Sequence, residues 1–286
     1  MRPLFEEWLE SGLGVELPGF LFPNQAMMVG LGFLLAALVA VLLGRRAGLS
    51  VRQMTLGLAV CFSGALLGSR VLGWALRIPA AVDNPSILLN IQNVGSGSFG
   101  AFAGGSLAYL AFMRWRKLDI WAHADAMLPA AALGMGISRL GCLLHGCDYG
   151  RMSSAFFAIR FPAGSPPYQM QLHEGFIGPY QSLSLPVLPL QVMLSSFDFA
   201  LFALFALRPK LGASVTGQRA LLLASSYFIG RFLIEFARSP HSAPFFGFLN
   251  LPQWMSVVGT AWMLALLRRR RRASQLHTSA QERDYA

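Results

Sequence analysis

The chain has 286 residues, 55% of them hydrophobic and only 13% charged, with a mean hydropathy of +0.51 and a formal net charge of +10. That balance excludes an ordinary soluble domain, and several apolar runs are long enough to cross a bilayer as helices, so the chain reads as an all-α integral membrane protein. The basic residues gather in short clusters between the apolar runs, as in loops facing the cytoplasm, so the charge is read as topology and not as a nucleic-acid surface.

The N-terminal segment carries Glu6, Glu7, Glu10 and Glu16 against Arg2, and lacks the basic region that opens a cleavable signal peptide. Trp8 and Phe20 to Phe22 suit an amphipathic anchor lying along the outer interface. Seven spans follow, roughly residues 26–44, 54–76, 97–113, 122–144, 187–207, 219–238 and 252–267. Arg45, Arg46 and Arg52 lie between the first two, Arg114, Arg116 and Lys117 after the third, Arg208, Lys210 and Arg219 after the fifth, and Arg268 to Arg272 after the seventh. By the positive-inside rule these face the cytoplasm, which puts the N-terminus outside and the C-terminus inside. The organisation expected is a single transmembrane domain over residues 1–272, with a long outer-face loop at 145–186 and a disordered cytoplasmic tail at 273–286. Phe156, Phe157, Phe161, Tyr168, Phe176 and Tyr180 in that loop suit an interfacial cap.

Arg70, Arg139 and Arg231 stand inside otherwise apolar spans, a costly placement that marks a polar site enclosed by protein. Each lies about 12 to 18 residues in from the cytoplasmic end, or ~18 to 26 Å at the helical rise, so all three reach the outer leaflet. Tyr227, Arg231, Glu235 and Arg238 recur at helical spacing and share one stripe. Guanidinium groups there suit a lipid phosphate, which their planar fork of donors pairs bidentately. Simpler readings stand beside this one: Arg231 with Glu235 as a structural ion pair, and Arg70 snorkelling to the interface. Gly95, Gly97, Gly100, Gly104 and Gly105 around the third span either open a path for lipid tails or let helices pack closely, and packing is the default. Cys142, His145 and Cys147 admit three readings: a soft-metal site without an obvious fourth ligand, a disulfide, or small apolar side chains packed at a helix junction. No cofactor or metal is expected.

The run Arg139, Gly141, Cys142, His145, Gly146, Cys147, Asp148, Tyr149 and Gly150 resembles the signature of the prolipoprotein diacylglyceryl transferase family, Gly-Arg-x-Gly-Asn-x-x-x-Gly-Glu-x-x-Gly. Arg231, Glu235, Arg238 and Pro240 resemble that family's Arg-x-x-x-Glu-x-x-Arg-x-Pro segment, and Pro189 with Gln191 its His-Pro-x-Gln-x-Tyr-Glu segment. Asp125, the Gly68 to Arg70 stretch, and Gln253 with Ser256 fit as well. The resemblance implies transfer of the diacylglyceryl group of phosphatidylglycerol to the lipobox cysteine in a prolipoprotein signal peptide, with membrane lipids as surroundings. It further implies that Arg139 and Arg231 hold phosphate, that Glu235 orients Arg231, and that Arg70, Arg238, Tyr227, Gln191 and Gly141 bind substrate. Where the family has Ser-Phe-His-Gly-Gly, this chain has Ser98, Phe99, Gly100, Ala101 and Phe102, and the Tyr-Glu pair is replaced by Met193 and Leu194. His145 is the substitute base the sequence offers, since a histidine titrates near neutrality. The alternatives are a relative without catalysis that binds anionic phospholipid or lipoprotein as an accessory factor, an enzyme for another acceptor, and, more remotely, a transporter.

Overall fold

The computed structural model describes residues 25–75, 98–208, 215–238 and 247–284. The acidic N-terminal stretch with Glu6, Glu7, Glu10, Glu16, Trp8 and Phe20 to Phe22, and also Gly95, Gly97, Lys210 and Pro240, lie outside the described residues. Among those described there are eight helices and no strands: α1 (Gln25–Arg46), α2 (Val51–Ala75), α3 (Ser98–Trp115), α4 (Ile120–His145), α5 (Pro166–His173), α6 (Leu190–Ala206), α7 (Gln218–Glu235) and α8 (Leu251–Asp284). Each of the seven apolar runs contains a helix among the described residues, and α1, α2 and α4 are long and apolar enough to cross a membrane, with α6 a shorter apolar helix. The last helix continues to Asp284 where the sequence leads one to expect a disordered tail from residue 273. Arg, Ala, Gln and Leu are strong helix formers, and a helix already nucleated by the apolar run extends through them cheaply.

The chain divides into two compact units, residues 40–126 and a second made of 1–39 with 127–286, a division the sequence does not announce. In the first, α2 and α3 meet through two Gly-x-x-x-Gly pairs, Gly64 with Gly68 and Gly100 with Gly104. A Cβ at Gly64 would stand 2.7 Å from the Gly104 carbonyl oxygen, and one at Gly100 would run into the Gly68 carbonyl and come within 2.6 Å of Leu72 Cβ. Gly105 packs on Cys61, so the described glycines of α3 serve close helix approach. Asp119 caps α4 by accepting bonds from the Trp121 and Ala122 amides at 2.9 and 3.2 Å.

In the other unit α4, α6, α7 and α8 converge at one end. Gly136 and Gly230 give up their side chains to the rings of Phe199 and Phe197 from α6, and Gly259 of α8 lies against Phe228 of α7. Leu201, Phe205, Ala132 and Leu223 form the apolar centre between these helices. At the far end the Arg219 guanidinium donates to the Phe205 carbonyl in the last turn of α6, where helical carbonyls lack an intrahelical partner, and Arg270 of α8 donates to the Thr216 carbonyl at 3.2 Å.

Between α4 and α6 the chain builds a small body of its own. Phe161 is fully buried there, and the Gln171 side chain closes on Leu185 from both sides, accepting from its amide at 2.7 Å and donating to its carbonyl at 3.4 Å. Tyr168 donates to the Gln181 carbonyl at 2.7 Å. Isolated bridges join Met152 and Ile159 to Val187, and Pro162 to Leu183. The aromatic residues of this segment therefore separate into two sets. Phe161 and Tyr168 make its core, while Phe156, Phe157, Phe176 and Tyr180 are exposed.

Candidate functional site

The convergent end of the second unit holds a cluster of guanidinium and carboxylate groups, and its construction starts at the C-terminus of α4. Gly146 takes a left-handed conformation (φ 87°) and donates its amide to the Cys142 carbonyl at 2.8 Å, the usual glycine stop of a helix. Asp148 follows with φ 57°, a conformation that aspartate tolerates better than most residues. Two such residues in three reverse the chain, and the Asp148 carboxylate comes back over the last turns of α4. There it receives Arg139 at 2.7 Å on one oxygen and Arg238 at 3.1 Å on the other. Gly150 then slots against Leu188 and Ala237, where a Cβ would meet the Ala237 carbonyl at 2.6 Å. Arg151 donates to that same carbonyl at 3.0 Å, fixing the end of α7 beside the end of α4.

On α7 the stripe expected from helical spacing is present. Glu235 carries a completely buried carboxylate that meets Arg231, one turn back, at 2.5 Å and Arg238, three residues on, at 2.6 Å. The Asn250 side-chain amide donates to the same carboxylate at 3.1 Å. Asn250 is also the N-cap of α8: its Oδ1 accepts from the Gln253 amide at 2.9 Å while Gln253 Oε1 accepts from the Asn250 amide at 3.0 Å. This reciprocal capping box links the start of α8 directly to the ion-paired carboxylate. Ser256, also buried, donates back to Pro252 at 2.8 Å inside α8.

Helix α6 completes the site. Gln191, fully buried, donates to the Cys147 carbonyl at 2.6 Å, and Ser195 donates to the Gly136 carbonyl at 2.8 Å, so the 191–195–198 face of α6 lies on α4. Asp198, next on that face and only 2% exposed, lies within electrostatic range of Arg139, Arg231 and Tyr227. Tyr227 likewise lies within electrostatic range of Arg139 and Arg231.

The structure thus brings Arg139, Tyr227, Arg231, Glu235 and Arg238 together, with Gln191 at the edge. Gly141 lies elsewhere: it packs α4 onto α1, where a Cβ would stand 2.8 Å from that of Met28 and 3.2 Å from the Gln25 backbone. Its close approach is a matter of helix packing. His145 is the exposed last residue of α4 and makes no hydrogen bond within the cluster among the described residues. Arg70 belongs to α2 in the other unit, with an exposed side chain. Cys142 and Cys147 are free thiols, Cys147 donating to the Cys142 carbonyl at 3.8 Å, and the hydrogen bond between the two side chains together with burial pushes the Cys147 thiol up.

Asp148, Asp198 and Asn250 are the members that spacing did not single out. Asp148 stood in the signature run, but its role depends on the backbone reversal. Burial pushes its carboxyl up, yet the Arg139 and Arg238 guanidiniums outweigh that and hold it below the usual carboxylate range. The ion-paired network therefore holds three guanidiniums against two carboxylates, with the Asp198 carboxyl in electrostatic range as a third acid. Each guanidinium offers five donors, so a carboxylate can orient it and still leave donors for a second anion.

Comparison with known proteins gives the family. The chain is 28% identical over 242 residues to a phosphatidylglycerol–prolipoprotein diacylglyceryl transferase 2 of Clostridium perfringens, covering 85% of this chain and 88% of that one. It is 29% identical over 225 residues to the phosphatidylglycerol–prolipoprotein diacylglyceryl transferase of Clostridium tetani (78% and 83% covered), and 27% identical over 252 residues to that of Haemophilus influenzae (84% and 85%). The sequence model of the prolipoprotein diacylglyceryl transferase family matches residues 15–269, which span every described helix but the end of α8, and the chain belongs to that family.

Proposed function

We propose that this chain transfers the diacylglyceryl group of phosphatidylglycerol to the cysteine of a prolipoprotein signal peptide. The observation that carries the reading is the cluster in which Asp148 and Glu235 hold Arg139, Arg231 and Arg238 in fixed positions. Phosphatidylglycerol is a phosphodiester with a single negative charge, and it leaves as glycerol phosphate with more. Oriented guanidinium groups stabilise that developing charge without reorganising at the moment of reaction, an effect worth about 10²- to 10³-fold per lost donor in comparable oxyanion sites. Arg139 and Arg231 take the phosphate, Glu235 and Asp148 orient them, Tyr227 and Gln191 flank the site, and Arg70 steers the anionic lipid.

The proposed topology has seven spans in a bacterial cytoplasmic membrane. The N-terminus and the arginine cluster face outward, and the arginine run of α8 lies in the cytoplasm. The basic clusters at alternate connections support this orientation. Reporters fused after Leu267 and within residues 160–180 test it, the first signalling cytoplasm and the second the exterior.

A second reading, an accessory lipid- or lipoprotein-binding relative, draws on Gly100, where the family pattern has a histidine and the close approach of α2 and α3 admits no side chain. Complementation separates the two. Expression in a bacterium depleted of its own transferase restores lipoprotein maturation if the chain is the enzyme, whereas an accessory protein restores nothing.

A further inference from the structure

We infer that Asp198 is the group that accepts the proton lost by the acceptor thiol, with the Tyr227 hydroxyl as the link between them; the assignment rests on the transferase reading above. The observation behind it is a buried carboxylate left incomplete. Asp198 is 2% exposed, and its Oδ1 accepts no hydrogen bond among the described residues. Buried polar atoms are nearly always paired, and an exception inside a charged cluster points to a partner that arrives with the reaction. On the same face of α6, Ser195 donates to the Gly136 carbonyl and the Gln191 side-chain amide to that of Cys147, while Gln191 Oε1 also accepts no hydrogen bond among the described residues. Asp198 continues that row about 10 Å along the helix from Gln191. The charged and titratable groups facing it are Arg139 from α4 and Arg231 and Tyr227 from α7. His145, by contrast, is exposed.

The charges favour this step. With Asp198 ionised, three guanidiniums face three carboxylates and the cluster is balanced. In the reaction the sulfur–hydrogen bond of the acceptor cysteine breaks, and its proton passes through the Tyr227 hydroxyl to Asp198. The thiolate then forms a carbon–sulfur bond to the glycerol carbon of the lipid, and the carbon–oxygen bond to phosphate breaks with its electron pair going to glycerol phosphate. Neutralising Asp198 gives the cluster a net positive charge as the departing phosphate gains a negative one. The proton afterwards leaves to water.

The test measures diacylglyceryl transfer from phosphatidylglycerol vesicles to a synthetic prolipoprotein signal peptide across pH, for the purified wild-type chain, Asp198→Asn, Asp198→Glu and His145→Ala. The wild type loses activity toward acid as its base takes up a proton. In Asp198→Asn, kcat falls about 10²- to 10⁴-fold, the contribution typical of proton transfer, with the lipid KM within threefold, and the acidic limb disappears. Asp198→Glu retains a carboxylate, recovers at least a tenth of wild-type activity and retains an acidic limb. This variant decides the matter if the asparagine variant does not fold: an acidic limb at the wild-type position in a variant with a longer carboxylate arm and altered surroundings would count against the assignment. Asp198→Asn within threefold of wild type, an unchanged acidic limb in its residual activity, or loss of that limb in His145→Ala would each overturn the proposal. A wild-type chain that transfers nothing would instead overturn the functional reading on which it rests.

Discussion

The two units pack by opposite means. In α2 and α3 glycines at matching spacing bring carbonyl groups against Cα atoms, and Gly57 lies on the rings of Tyr109 and Phe112. At the convergent end of the other unit the contact runs through long charged side chains, three arginines meeting two carboxylates and a capping asparagine. Backbone packing tolerates no added atom, whereas an ion-paired cluster tolerates rearrangement but not the loss of a charge. The first arrangement suits a fixed scaffold. The second suits a place where an anion must enter, react and leave.

The largest effect is expected where the backbone packing is closed. Gly100→His restores the family's residue type, yet its Cβ runs into the Gly68 carbonyl, so α2 and α3 are forced apart. The variant should lose more than ~3 kcal/mol and fail to accumulate as folded protein, read from melting in detergent. A stable Gly100→His with improved activity would show that α2 and α3 sit further apart than described. Next comes removal of a charge. Arg231→Ala leaves the buried Glu235 with one guanidinium fewer and should cost transfer about 10²- to 10³-fold. Stability should fall as well, because a carboxylate at that depth has lost a partner.

Glu235→Gln is expected to act more mildly, raising the lipid KM several-fold, because Arg231 and Arg238 keep their charge but lose the group that orients them. The smallest effect is one of pH. The Asp148 carboxyl is held low by Arg139 and Arg238, so it contributes its full stabilisation above the unfolded value near ~3.9 and loses it as pH falls through the lower folded value. Melting from pH 7 down to pH 3 should therefore drop more steeply for the wild type than for Asp148→Asn. Equal slopes would remove Asp148 from the account.

Much of the helical layout was legible because apolar run length and charge clustering are local properties. The α7 stripe was legible for the same reason, since residues three and four apart on a helix are neighbours whatever surrounds them. What remained hidden depends on distant segments meeting. Asp148 reaches two arginines 9 residues behind it and 90 ahead because two left-handed residues reverse the chain. Asp198 reads in sequence as one acid in an apolar run, and its surroundings appear only when α4 and α7 are placed beside α6. The packing of Gly141 against Met28 and Gln25 was hidden too, because a glycine in a signature run does not say which neighbour needs the space. The small core around Phe161, Gln171 and Val187 was equally unreadable, since hairpin-like bridges in a glycine- and proline-rich segment leave no periodic trace.

The central claim is that guanidinium groups held by Asp148 and Glu235 receive the phosphate of the lipid donor. An experimental structure of the chain with phosphatidylglycerol bound tests it most directly. The account predicts phosphate oxygens about 2.7 to 2.9 Å from nitrogens of both Arg139 and Arg231 while Arg231 keeps its contact with Glu235. A headgroup resolved elsewhere, with both arginines still closed on their carboxylates and out of its reach, would contradict it.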